Sequence, residues 1–234
     1  MARKKTEEAP RPITADDHKK LDKKRHPIVN DTLKFPLGEQ FDRDLTEILE
    51  GDSEEKGETV VIALIDCDSF LKVNTDFGPD EGDRFLIATG RYIKENAPKG
   101  ATVYRIGGDE FGMIFKGLME REDIFLFLND LKNNYDVKTP DGASHTITIG
   151  MATAFVDATR CAELVRKADG ALFRAKAGGG NKVSMAREEK MIPKTSHYTQ
   201  DQLQRLSKLA AREGIGEAFL LREALDLLLK KYDV

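Results

Sequence analysis

Arg105-Ile106-Gly107-Gly108-Asp109-Glu110-Phe111 sets two adjacent carboxylates at the tip of a glycine-bent turn between two apolar segments. Gly107 and Gly108 suit a turn with positive φ and let a bulky ligand approach the backbone. Phe111, Met113 and Phe115 alternate with Gly112 and Ile114 as in a buried strand. Upstream, Val60 to Ile65 (VVIALI) is a continuous apolar run of the kind covered on both faces, and it ends abruptly in Asp66-Cys67-Asp68. Acid at a strand end and acid at a hairpin tip can converge on one ion. Mg2+ suits such a place, because it takes oxygen ligands, keeps several waters and is usually shared between one or two carboxylates and substrate phosphates. There it neutralises the charge of phosphoryl transfer. Taken alone, Gly-Gly-Asp is also ordinary turn chemistry.

Reading outward, Ser69-Phe70-Leu71-Lys72-Val73-Asn74-Thr75-Asp76-Phe77-Gly78 follows the first acids, and Glu81-Gly82-Asp83 opens an amphipathic segment with Phe85, Leu86, Ala88 and Ile93. Thr146-Ile147-Thr148-Ile149-Gly150 reads as a strand, and Ala168-Asp169-Gly170-Ala171-Leu172-Phe173-Arg174-Ala175-Lys176 leads into Ala177-Gly178-Gly179-Gly180-Asn181. In this order the motifs resemble the GGDEF family of diguanylate cyclases over Asp31 to Met185, with Asp31-Thr32-Leu33 as a faint match to the family's opening D-x-L-T.

The resemblance implies a ferredoxin-like α/β (α+β) palm of the nucleotide cyclase and polymerase type, with an antiparallel-containing central sheet flanked by helices. It also implies a nucleotidyltransferase that joins two GTP into cyclic di-GMP as a homodimer, with Mg2+ or Mn2+ as cofactor. Carried over residue by residue, Asp66 and Asp109 become metal ligands, Cys67 a main-chain ligand, and Glu110 a ligand or base. Asn74 and Asp83 fall where the family reads guanine, Lys176 where a lysine meets substrate phosphate, and Gly107 and Gly108 beside the nucleotide. A carboxylate and an amide complement the guanine edge, and an unmatched buried partner penalises adenine. The local alternatives are a turn cap for Asn74, a helix N-cap for Asp83 and a solvated helix end for Lys176.

Departures from the pattern cluster around the phosphates. Leu71 replaces the transition-state lysine, with Lys72 one position later and about 100° away on a helix. Thr75, Pro79 and Gly180 replace an aspartate, a histidine and an arginine. Loss of one electrostatic stabiliser reduces turnover by ~10²-fold. The expectation is slow chemistry, or replacement cations such as Lys72 as a catalytic residue. The alternatives are a degenerate nucleotide-binding regulator and a cyclase of different base choice. The family's product-inhibition R-x-x-D reads Pro98-Lys99-Gly100-Ala101 here, so feedback through that loop is not expected.

The 234 residues, 40% apolar, allow one substantial domain and an appendage. Three segments are expected: a charged arm over 1–30 with a short helix reaching Arg25, the palm over 31–189, and a helix-pair tail over 190–234. No run approaches the roughly 20 apolar residues of a membrane span, and the basic N-terminus lacks an apolar signal core, so a cytoplasmic protein with no membrane partner is expected. Cys67 and Cys161 read as free thiols without catalytic work. The arm to residue 27 holds nine basic against five acidic residues and the tail from 190 eight against six, leaving 20 basic against 30 acidic groups between them. Such a negative palm suits metal-bound phosphates better than nucleic acid.

In the tail, Thr199 caps a helix carrying Leu203, Leu206, Leu209 and Ala210 that ends near Gly214, and a second helix follows from Glu217. Its leucines cover more than one stripe, so the pair cannot bury itself alone. The pattern resembles ribbon-helix-helix dimers. That resemblance implies dimerisation, with DNA as a further partner through a ribbon at Met191 to Tyr198, although Pro193 is poorly suited to a strand.

Overall fold

The computed structural model describes residues 27–51, 57–187, 194–213 and 216–232. The expected helix to Arg25 lies outside them. Two compact units divide at Arg187 and Glu188.

The first unit runs α1 (Pro27–Leu33), α2 (Gly38–Glu50), β1 (Thr59–Cys67), α3 (Phe70–Phe77), α4 (Pro79–Asn96), β2 (Ala101–Arg105), β3 (Glu110–Gly117), α5 (Arg121–Asn133), β4 (Ile147–Thr153), α6 (Cys161–Ala177) and β5 (Val183–Met185). Its five strands lie in the order β2-β3-β1-β4-β5. Only the β4–β5 pair is parallel. The sheet thus mixes both pairings, in line with the antiparallel-containing sheet that the family resemblance implies.

Both faces of the sheet are covered, which explains why β1 is apolar throughout instead of alternating. Val61, Ala63 and Ile65 face a core with Phe85, Leu86, Ile93, Ile124 and Leu128, drawn from α4 and α5. Val60, Ile62 and Leu64 face a second core with Phe41, Leu45, Leu164, Ala168 and Leu172, drawn from α2 and α6. By the same period of two, the side chain of Asp66 falls on the α2/α6 face. Burying each large aliphatic side chain contributes about 1.5–3 kcal/mol, so this layer is a firm base for an acidic strand end. Val29 of α1 is itself fully buried in the first core.

Gly150 sets the height of α6 above the sheet. A Cβ there would stand 2.3 Å from the Ala168 carbonyl oxygen and 2.4 Å from the Leu172 amide nitrogen, so only glycine admits this approach. One turn beyond Leu172 the same helix delivers Lys176 to the end of β1.

Two local expectations change. Asp83 is not a helix N-cap, because α4 begins at Pro79 and Asp83 lies inside it. Proline suits the first helical position, where its missing N–H has no intrahelical partner to lose. Gly107 does not adopt positive φ. Its bare backbone instead makes room for Glu110, whose Oε2 lies 3.1 Å from where a Cβ would stand.

The second unit holds α7 (Gln200–Glu213) and α8 (Glu217–Lys231). Thr199 and Gln202 form a reciprocal cap: Gln202 N donates to Thr199 Oγ1 at 3.2 Å and Thr199 N to Gln202 Oε1 at 2.9 Å. Residues 194–199 have no regular structure in the single chain. No helix among the described residues is long and apolar enough to cross a membrane.

Candidate active site

Antiparallel pairing places Asp66 directly opposite Glu110. Residues so paired project from the same face, and like charges there repel. Cys67 N donates to the Asp109 carbonyl at 3.3 Å, tying the end of β1 to the turn tip. Inside the turn, Ile106 N and Gly107 N both donate to the Glu110 carbonyl, at 3.0 and 3.2 Å. Buried Arg105 donates from Nη2 to the Gly108 carbonyl and lies over the Phe111 ring.

Asp66 is 4% exposed. Burial pushes its carboxyl up to about 7, Lys176 opposes the rise, and the charges of Asp109 and Glu110 add to it. The Lys176 ammonium sits 2.5 Å from Asp66 Oδ2. By chemistry the carboxylate oxygens of Asp66, Asp109 and Glu110 are hard donors of the kind Mg2+ or Mn2+ takes. Among the described residues no group of three or more acidic, histidine or cysteine side chains is placed so as to hold a metal ion. The positive charge at Asp66 in this chain is the lysine's.

The Cys67 thiol is buried and burial raises its pKa well above the ordinary value, so the residue offers no thiolate. Both cysteines are free. Asn74 on α3 packs against Gly82 on α4, the residue before Asp83: a Cβ on Gly82 would stand 1.9 Å from Asn74 Oδ1. That Oδ1 is buried and has no hydrogen-bond partner among the described residues. Lys72 is exposed on α3 and makes no ion pair among the described residues, and Leu71 beside it is 78% exposed.

Asp68 forms the part of this region to which the motif reading attached no role. Thr146 Oγ1 and Thr148 Oγ1 each donate to its carboxylate at 2.6 Å, and Asn181 N donates at 3.1 Å. This knot joins β1, β4 and the loop after α6. It also accounts for Gly180, which has φ +68 and whose Cβ would lie 3.1 Å from Asp68 Oδ1. A side chain there meets both backbone strain and the knot. The signal in the sequence was the spacing: Asp66 and Asp68 share a strand face, as do Thr146 and Thr148.

The family model for the diguanylate cyclase GGDEF domain matches residues 38–182, and a ribbon-helix-helix domain model matches residues 192–233. The chain belongs to the GGDEF diguanylate cyclase family. Diguanylate cyclase A of Treponema denticola is 30% identical over 148 residues, covering 61% of this chain and 38% of that protein. Diguanylate cyclase DgcM of Escherichia coli K12 is 32% identical over 128 residues, covering 53% and 30%. The chain therefore spans only about a third of the length of these curated relatives. The crystallised GGDEF domain of YfiN (TpbB) from Pseudomonas aeruginosa is 26% identical, with a TM-score of 0.63 over 67% of this chain and 99% of that one.

Proposed function

We propose that this chain condenses two GTP into cyclic di-GMP with release of pyrophosphate, using Mg2+ or Mn2+ and working as a homodimer. The observation that carries the reading is the register that sets Asp66 against Glu110 with Asp109 at the adjoining turn. The ion, when bound, supplies charge neutralisation for the phosphates and acidifies the attacking 3′-hydroxyl. Asp66, Asp109, the Cys67 carbonyl and Glu110 hold it, and Glu110 serves as ligand or base.

Asn74 and Asp83 bind the guanine edge. Gly107 and Gly108 leave room beside the nucleotide, and Lys176 contacts phosphate. Incubating purified protein with GTP and Mg2+ or Mn2+, then identifying products by mass spectrometry, tests the proposal. Cyclic di-GMP is expected; no product across a concentration range that forms dimers overturns it.

A degenerate, nucleotide-binding regulator is favoured by Leu71, exposed where the family lysine would stand, and by Gly180, whose positive φ strains any side chain in the place of the family arginine. GTP retention without pyrophosphate release identifies that outcome. Competition between GTP and ATP exposes a changed base choice.

The tail supplies the dimer. Leu225, Leu227 and Leu228 of α8 are each at least half exposed in the single chain, which supports a second copy as their cover. The ribbon-helix-helix match supports the same reading and extends it to DNA. Salt-dependent binding to a DNA ladder tests that extension.

A further inference from the structure

The contact between Lys176 and Asp66 joins two groups that the proposed chemistry uses separately, one for phosphate and one for the cation. Asp66 cannot move far: it ends a fully covered strand, and its side chain is 6% exposed. The Lys176 side chain is 41% exposed and ends a long flexible stem. Its helix is held down by the close approach at Gly150, so its Cα stays in place while its ammonium can swing.

A dication reaching Asp66 meets an ammonium already 2.5 Å from the same carboxylate oxygen. It must displace that ammonium into water or share a ligand with it, and both oppose binding. A triphosphate changes the balance by offering Lys176 a new anionic partner beside the old one.

We propose that Lys176 is the resident counter-ion of the acidic site and releases Asp66 in exchange for phosphate, so that divalent cation and nucleoside triphosphate bind with positive cooperativity. The inference rests on the reading of Asp66, Asp109 and Glu110 as a cation site. Lys176 thereby positions the site for the pair of ligands and keeps its carboxylates neutralised between turnovers. The coupling is reciprocal: the cation improves triphosphate binding by the factor that the triphosphate improves cation binding.

The test is Mn2+ binding to the full chain, followed by the electron paramagnetic resonance of free Mn2+, with and without a non-reacting GTP analogue. In the native protein the analogue should tighten Mn2+ binding at least ~10-fold beyond what the analogue binds by itself in buffer. Lys176→Met should bind Mn2+ alone ~10-fold more tightly than the native chain and lose most of the analogue's gain. Lys176→Arg, which keeps the charge, should retain weak binding of Mn2+ alone. Equal or weaker Mn2+ binding by a folded Lys176→Met overturns the coupling. So does a native protein whose Mn2+ affinity ignores the analogue, a measurement that needs no variant. Asp66→Asn separates the two readings. If it loses Mn2+ while Lys176→Met matches the native chain, only the coupling falls; if it binds Mn2+ like the native chain, the cation site falls with it.

Discussion

In the first unit β1 buries every residue from Val60 to Cys67, whereas α8 in the second leaves Leu225, Leu227, Leu228 and Leu229 in water. Both are rich in large apolar residues, so the difference is one of layering. A strand between two helical layers finds apolar partners on both faces, while a helical hairpin has only one inner seam. The first unit can force an aspartate out of water because a core supports it, whereas several leucines of α8 stay exposed in the single chain.

The strongest probe of that contrast is Asp66→Asn. It keeps the shape of the first unit and removes a charge, so product formation measured by mass spectrometry should fall ~10³-fold while near-ultraviolet circular dichroism stays native. An unfolded variant would instead make the carboxylate part of the scaffold.

The next effect concerns pH. The folded Asp66 carboxyl titrates at about 7, above its ordinary 3.8, so between those values the folded chain binds more protons than the unfolded one. Stability of the metal-free protein must therefore fall as pH rises from 4 to 7, by a few kcal/mol on the scale of ~1.4 kcal/mol per pK unit, and level off above. Melting temperatures in chelator should show that slope in the native chain and lose it in Asp66→Asn. Mn2+ affinity should rise over the same interval as the carboxylate forms.

Truncation after Arg187 tests the other side of the contrast. The remaining unit should fold, sediment as a monomer, and lose ~10²-fold in turnover at micromolar concentration through lost effective concentration, with recovery as protein concentration is raised. An unchanged sedimentation profile would place the dimer contacts in the first unit. The smallest effect is expected for Gly150→Ala. The methyl group cannot fit under the α6 backbone, so unfolding in urea should show a loss of about 1–3 kcal/mol, with Mn2+ alone bound more tightly as α6 lifts and carries Lys176 away from Asp66. A neutral outcome would show that the helix rides more loosely than the contact requires.

The order of elements was legible because it rests on local periods. A continuous apolar run exposed β1, alternation exposed β3, an amphipathic pattern exposed α4, and Gly-Gly at residues 107–108 marked the turn between β2 and β3. The candidate site residues were named through motif spacing; the register sets Asp66 opposite Glu110, and the charges of Asp109 and Glu110 act on Asp66. Partners were not legible, because a charge has no direction in a sequence. Only register and layer height decide that Lys176 reaches Asp66, that Asp68 ties Thr146, Thr148 and Asn181, and that this knot crowds Gly180. Local conformation also yielded to tertiary context at Gly107, where space for Glu110 outweighed any need for a left-handed turn. The sequence by itself determined which acids stand at the ends of buried strands, through the alternation of side chains. Tertiary structure alone decided which cation meets them, because that contact joins residues more than a hundred positions apart.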